Sequence, residues 1–292
     1  MVLEAIVNPK MAERHPLRMF LLGLLYATLG LLLALWLFTG YASMVMVFLT
    51  VMASLPLVYN TFKHEETMDK LIHDEKLLMK EHGKVLLYLM MLFLGFVVAF
   101  SILYAVLPEP TVTNTFRSQM ETINAINNRM TGQAASFGTF MNIFSNNIRV
   151  MFFCIFFAFF YGAGSIFILT WNASVIGAAM GNLIRTKLSE LFSKMGFLAA
   201  SNYLHVISLS LVRYLPHGIF EILGYFIGGL AGGIISVAVI RHDFGTREFN
   251  HILADSLDLV VLAIVTLFIA CLIEVFVTPA LFHIVGGTLA HS

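Results

Sequence analysis

Long apolar segments alternate with shorter polar ones along most of this 292-residue chain. A helix needs about 20 apolar residues to cross the hydrocarbon core of a bilayer. About seven segments meet that length and are predicted to cross: 17–38, 41–60, 85–107, 150–170, 197–214, 216–240 and 257–285. The first is too long for a secretory signal peptide and is followed by further spans, so we interpret it as a retained anchor. The predicted fold is an all-α, polytopic transmembrane helical bundle.

Residues 172–184 are apolar but short for a complete span. As a helix this segment would extend only about 20 Å, so it either crosses as a short helix or re-enters on the same side. If it re-enters, four loops share one side and carry 13 of the 17 basic residues, namely 1–18, 61–84, 185–196 and 241–256. The positive-inside rule therefore favours a re-entrant segment and a cytoplasmic N-terminus in a multi-pass cell-membrane protein.

Changes in polarity divide the chain into three regions. Residues 1–107 are predicted to contain a membrane hairpin, a charged cytoplasmic helix and the third span. Residues 108–148 are predicted to form an external polar loop, and residues 149–292 a transmembrane core. Within the first region, the charged segment 61–84 is expected to be a solvated helix. Its lysines offer contact with lipid headgroups or a partner protein as the alternative.

Composition excludes several classes of function. The chain is 59% hydrophobic and 12% charged, whereas soluble domains carry about 25% charged residues. The formal net charge is zero, which gives no general basic excess for binding nucleic acid. Cys154 and Cys271 each lie in an apolar run, so neither a disulfide nor a thiolate metal site is expected. No cofactor-binding motif is visible, and the expected partners are membrane lipids and membrane proteins.

The segment Pro216-His217-Gly218-Ile219-Phe220-Glu221 is the most informative for chemistry. Pro216 is predicted to begin a helix, because a first helical position needs no amide hydrogen. His217 and Glu221, four residues apart, then lie on one face. The pair could serve as a structural hydrogen-bonding pair, as a proton or ion site, or as part of a metal site. Since no third ligand is fixed by spacing, no metal site is predicted.

Glu274 is a second acidic residue inside a predicted span. With a re-entrant 172–184, its depth is similar to that of Arg149, Arg213, His217 and Glu221. We expect at least two of these five side chains to meet in one buried polar network, because charges withdrawn from water must be paired. For the two arginines, extension of the side chain to the lipid headgroups is the alternative.

Small residues are predicted to pack the helices. Gly224, Gly228 and Gly232 continue the face of Glu221 and form a glycine zipper that would let a neighbouring helix approach closely. Asn172 is expected to cap the short segment that follows it. For Gly177 and Gly181 a selectivity constriction is the alternative to packing. The remaining candidates for packing or turns are Gly162, Gly164, Gly218 and Pro279.

These motifs resemble the stage II sporulation protein M family over roughly residues 137–285. The family often has Asn-Gly where this chain has Asn172-Ala173. The resemblance implies a non-enzymatic membrane component. The family's named member belongs to a peptidoglycan-remodelling complex of spore formers, while relatives occur in organisms that make no spores. The residues that carry the resemblance are Asn146-Asn147-Ile148-Arg149, Gly162 and Gly164, Trp171-Asn172 with Gly177, the 216–221 segment, and Ile273-Glu274 with Thr278-Pro279.

Three functional hypotheses follow. The first is a membrane scaffold or assembly and remodelling factor that self-associates or binds partners through its glycines. The second is a transporter or channel that uses the re-entrant segment and the intramembrane His and Glu residues. An intramembrane hydrolase is the least favoured, because no nucleophile–base pair or complete metal triad is visible in the sequence.

Overall fold

The computed structural model describes residues 16–72, 75–130, 137–161, 164–195, 200–240 and 245–281. Within these ranges the chain is helical apart from short connections, and no strand occurs. Seven helices in these ranges are long and apolar enough to cross a membrane. The predicted all-α, polytopic transmembrane bundle is therefore confirmed.

The helices follow one another with short connections. We number them in chain order: α1 Pro16–Leu37, α2 Ala42–Leu71, α3 Glu75–Val106, α4 Glu109–Thr115, α5 Arg117–Met130, α6 Phe137–Tyr161, α7 Ser165–Met195, α8 Ala200–Ile240 and α9 Arg247–Leu272. A 3-10 turn, Thr39–Tyr41, joins α1 to α2, and a π-helical turn, Ile273–Val277, continues α9.

Helix α8 is the central element of the bundle. It packs against α9, α6, α7 and α2, and 83% of its most apolar stretch is buried. Helices α1, α3 and α7 form a second packed group beside it. Gly23 of α1 and Gly95 of α3 lie opposite each other in this group, and a Cβ on either would collide with the other helix's backbone. Such close approach of small residues is typical of helix packing in lipid.

Residues 172–184 do not re-enter the membrane. They lie in the middle of α7, which is continuous from Ser165 to Met195. Asn172 consequently caps nothing, and its Nδ2 donates to the Ile168 carbonyl within the same helix at 2.9 Å. The predicted span 150–170 is also wrong, because it joins the end of α6 to the start of α7. Hydropathy missed the break because apolar residues flank it on both sides.

Arg185, the first residue of the predicted loop 185–196, lies at the opposite end of the bundle from segment 61–84. Arg185 donates to the carbonyls of Tyr104 (3.3 Å) and Leu107 (2.8 Å) at the C-terminal end of α3, and it pairs with Glu109 at 2.9 Å. His82 lies near the other end of α3. The charge count that placed these two loops on one side is therefore wrong. The cytoplasmic position of the N-terminus stays a prediction.

Two predicted spans, 197–214 and 216–240, belong to one helix. Pro216 lies inside α8 and does not begin a helix. A proline interrupts one backbone hydrogen bond, but membrane helices tolerate it where neighbouring groups satisfy the backbone. The observed crossing within α8 covers Tyr214–Ile240.

Segment 61–84 is not one solvated helix. It contains the end of α2 and the start of α3, which form a helical hairpin. Glu65, Glu66 and His82 are each at most 1% exposed. The prediction failed because these polar side chains are buried within the protein, while the alternating charges in the sequence suggested a water-facing surface.

Candidate functional site

A cluster of polar side chains lies where α6, α8 and the extension of α9 meet. Glu221 of α8 accepts a hydrogen bond from the Tyr225 hydroxyl at 2.7 Å. Glu274 lies on the π-helical turn after α9. The two carboxylates interact electrostatically with each other, and both interact with Tyr225. Both acids are only partly exposed, so the structure brings the two intramembrane acids of the sequence analysis together.

A histidine–threonine contact extends the cluster by one turn. His217 Nδ1 lies 3.2 Å from Thr278 Oγ1. His217 precedes Glu221 by four residues, and Thr278 follows Glu274 by four. Because α8 and the α9 extension are antiparallel neighbours, the His217–Thr278 contact and the Glu221–Glu274 pair lie on successive turns of the same helix contact. The His217 and Glu221 side chains thus share one face of α8, as their spacing predicts.

The π-helical turn and α6 complete the cluster. A π turn inserts an extra residue into a helix and is found frequently at functional sites. Here it covers Ile273–Val277 and carries Glu274. From α6, Asn147 Nδ2 donates to Cys271 Sγ at 3.6 Å, and Asn147 is 3% exposed. Asn147 is part of the motif that carries the family resemblance, and its place in this cluster was not predicted.

Neither of the two candidate arginines, Arg149 and Arg213, is found in the described cluster. Arg149 is exposed on α6 and lies outside the cluster. The side chain of Arg213 falls outside the described residues. Across the described part of the chain, neither Glu221 nor Glu274 forms an ion pair with a lysine or arginine. The described cluster is therefore rich in acidic groups and contains no fixed cation.

The glycines of α8 pack against helices of this same chain. A Cβ at Gly224 would lie 2.8 Å from the Leu267 side chain of α9, and one at Gly232 would lie 2.6 Å from the Ile155 carbonyl oxygen of α6. Gly228 faces Met151 of α6 in the same manner. Since these glycines are buried within the protein, any self-association would use another surface.

The other packing candidates have mixed locations. Gly177 and Gly181 of α7 lie against Phe100 and Tyr104 of α3, and an added Cβ would approach each of those side chains to 2.6 Å. Gly164 lies in the turn before α7, whereas Gly162 falls outside the described residues. Pro279 is exposed, and Gly218 has open space where a Cβ would be.

A second polar cluster lies near the other end of the bundle. Glu65 Oε2 and His82 Nδ1 are 2.7 Å apart, with both side chains 2% exposed. One turn further along the hairpin, the hydroxyls of Thr61 and Tyr88 form a hydrogen bond. The sequence analysis missed this pair. Glu65 and His82 are on different helices, and only the register of the hairpin brings them together.

The fold and the buried acids define a polytopic helical membrane protein with a polar centre between its helices. Residues 85–279 match the family model described as Stage II sporulation protein M, and the chain belongs to that family. The match includes the whole acid cluster and begins in α3, earlier than the resemblance noted from the sequence.

Part of the chain is also similar to a protein of another organism. It is 27% identical over 143 residues to an uncharacterised protein of Methanocaldococcus jannaschii, which covers 48% of this chain and 71% of that protein. No solved structure matches this chain.

Proposed function

We propose that this family member is a non-enzymatic membrane protein that holds a proton or a small monovalent cation between Glu221 and Glu274, as an ion-coupled transporter or channel does. The observation that carries the proposal is the position of two partly buried acids on helices that contact each other, α8 and the α9 extension. In the described residues no lysine or arginine pairs with either of them.

Two neighbouring carboxylates in a poorly hydrated site cannot both stay ionised without a compensating charge. A shared proton or a bound cation supplies that compensation. If the proton or the cation can bind and dissociate, the pair of carboxylates is an exchangeable binding site at membrane depth. The neighbouring His217 adds an imidazole that is held by its contact with Thr278.

The surroundings of the pair suit a transport site. Ion-binding sites of transporters are often built where membrane helices are interrupted. Helix α8 is continuous through Pro216, which removes one backbone hydrogen bond, and the α9 extension contains a π turn. Further along α8, Gly233 packs against Phe62 of α2, one turn from Glu65. Titratable side chains are thus present near both ends of the apolar crossing Tyr214–Ile240.

Flux through proteoliposomes tests the proposal. The purified protein is reconstituted around a trapped pH-sensitive dye, and collapse of an imposed pH gradient is followed with Na⁺ or K⁺ present. We expect the wild type to accelerate the collapse, and Glu221→Gln and Glu274→Gln to abolish the acceleration. Asp258→Asn is the matched control, because Asp258 is an exposed acid on α9. Wild-type rates equal to those of protein-free liposomes would refute the transport proposal.

A scaffold or membrane-remodelling role is the second candidate. The family description, stage II sporulation protein M, favours it. A further observation is the pair of short helices α4 and α5, which are fixed to the bundle. Gln119 of α5 bonds with Ser43 of α2 (2.9 Å) and Ser174 of α7 (3.1 Å), all three buried or nearly so. A rigid outer cap of this kind would offer a fixed docking surface to another membrane protein.

The same variants separate the two candidates. If the wild type shows no flux and Glu221→Gln changes only the thermal stability in detergent, the acid pair is structural and the scaffold role is favoured. In-membrane cross-linking from a cysteine at Thr113, exposed on α4, would then identify the partner. If the protein is a scaffold, we expect one discrete cross-linked species. If no cross-linked product forms in the native membrane, the scaffold role is contradicted.

A further inference from the structure

An apolar cavity of about 290 Å³ lies between α3, α7 and α8. This volume is near the lower end of the range for small-molecule pockets, about 300–1,000 Å³. Its walls are almost entirely hydrocarbon. The residues that define it best are Met90, Leu94 and Val97 of α3, Met180 of α7, and Gly218 and Ile222 of α8.

Gly218 creates part of this space. A Cβ at Gly218 would meet no atom within 4 Å, unlike the glycines further along α8, which touch neighbouring helices. The glycine therefore does not serve helix–helix contact. It leaves a gap in the wall of α8, on the face adjacent to the one that carries His217 and Glu221.

The cavity opens toward the surface that faces lipid. Ile219, in its wall, is 46% exposed, while Ile222, one turn deeper, is only 2% exposed. All three helices that form the cavity are membrane-spanning. The medium at its mouth is therefore acyl chain, and hydrocarbon walls offer water no hydrogen-bonding partners.

We propose that this cavity is a specific site for one acyl chain of a membrane phospholipid. The acyl chain enters past Ile219, and its end lies against Met180 and Ile222. The occupant follows from three observations: apolar walls, a lateral opening at membrane depth and a glycine that keeps the space free. The inference is independent of ion binding at Glu221 and Glu274. An acyl chain at this position would also keep water away from that side of α8.

Photo-cross-linking from inside the bilayer tests the site. The full chain is reconstituted with phosphatidylcholine that carries a diazirine at the end of one acyl chain, and the cross-linked residues are mapped by mass spectrometry. Met180, which is 6% exposed, reports on the cavity, and Phe152 of α6, which is 59% exposed, reports on ordinary lipid contact. We expect both residues to be labelled in the wild type.

Filling the cavity should remove only the first label. In Gly218→Phe we expect labelling at Met180 to fall by about tenfold relative to Phe152, equivalent to about 1.4 kcal/mol of lost affinity. Gly83→Phe is the matched control, since Gly83 is a helical glycine that also has open space around it but lies outside the cavity. Gly218→Leu provides a smaller filling residue if the phenylalanine variant does not fold.

Three results would overturn the proposal. One is a wild type labelled at Phe152 and unlabelled at Met180. Another is a folded Gly218 variant that keeps full labelling at Met180. The third is labelling of Met180 by a diazirine fatty acid but not by the phospholipid, which would make the site one for free fatty acids.

Discussion

Glu221 of α8 and Glu274 of the α9 extension lie on helices that contact each other, and their carboxyl groups interact electrostatically. One turn away, His217 and Thr278 connect the same two helices at 3.2 Å. The first pair brings together like charges, whereas the second is a neutral hydrogen bond. The contact between these helices therefore contains one hydrogen-bonding contact and one pair of acids.

Neutralising one member of the acid pair should stabilise the protein. Two like charges on neighbouring helices repel by about 2 kcal/mol at an effective dielectric constant of about 20. Glu221→Gln retains an oxygen to accept from Tyr225, so it removes the charge without losing the hydrogen bond. We expect the free energy of unfolding at alkaline pH to rise by up to about 2 kcal/mol, whereas most substitutions lower it. Thermal denaturation in detergent measures the change.

A double-mutant cycle shows whether the gain comes from the pair. Glu274→Gln alone should also stabilise, and the double variant should gain less than the sum of the two single changes. Asp258→Asn, at an exposed acid of α9, should leave stability nearly unchanged. Lower stability in both single variants would instead mean that a positive charge already compensates the acids.

The buried Glu65–His82 pair should be sensitive to removal of one partner. Both side chains are 2% exposed and their polar atoms are 2.7 Å apart. His82→Ala leaves a buried carboxylate with one partner fewer, and breaking a buried pair in this way costs about 3–5 kcal/mol. Lys84→Ala breaks the exposed pair with Glu81 on the same helix and should cost at most about 1 kcal/mol. Equal losses in the two variants would show that the buried pair has no special role.

Two glycines inside helices, Gly232 and Gly83, should respond in opposite ways to substitution by alanine. At Gly232 a Cβ would lie 2.6 Å from a backbone oxygen of α6, which cannot move aside easily. Gly232→Ala should therefore destabilise the protein by about 1–3 kcal/mol through overpacking. Gly83→Ala meets no atom and should stabilise α3 by about 0.5–1 kcal/mol, the usual gain over glycine in a helix. The melting temperatures of the two variants measure these effects. A Gly232→Ala variant that is as stable as the wild type would contradict the close contact.

Hydropathy and spacing predicted the helical class, and helical periodicity placed His217 and Glu221 on one face. Two errors in the predicted topology offset each other. A re-entrant 172–184 omitted one crossing, and the division of α8 at Pro216 added one. The predicted depth of Glu274 on the last helix was therefore still similar to that of Glu221. The turn between α6 and α7 escaped detection because its flanks are as apolar as the helices themselves.

Contacts between distant helices could not be predicted from one sequence. The Glu65–His82 pair depends on the register of the α2–α3 hairpin, and Asn147 reaches Cys271 across 124 positions of the chain. The glycine stripe of α8 was visible in the sequence, yet its partners were not. Gly224 contacts α9, whereas Gly228 and Gly232 contact α6. Local periodicity shows which residues share a face and gives no information about which helix covers it.

Cysteine accessibility should show that α7 crosses the membrane completely. Arg185 bonds to the C-terminal end of α3, so the end of α7 and the α4 helix lie on the same side. Single cysteines at Ser189 and Thr113, both exposed, should react with a membrane-impermeant maleimide from one side. A cysteine at Asn250, exposed at the start of α9, should react only from the other side. The buried Cys154 and Cys271 should contribute little background.

The lysines near the α2–α3 hairpin favour a cytoplasmic position for Asn250 under the positive-inside rule. External labelling of Asn250 would reverse the proposed orientation, and labelling of Ser189 and Asn250 from one side would restore a re-entrant α7.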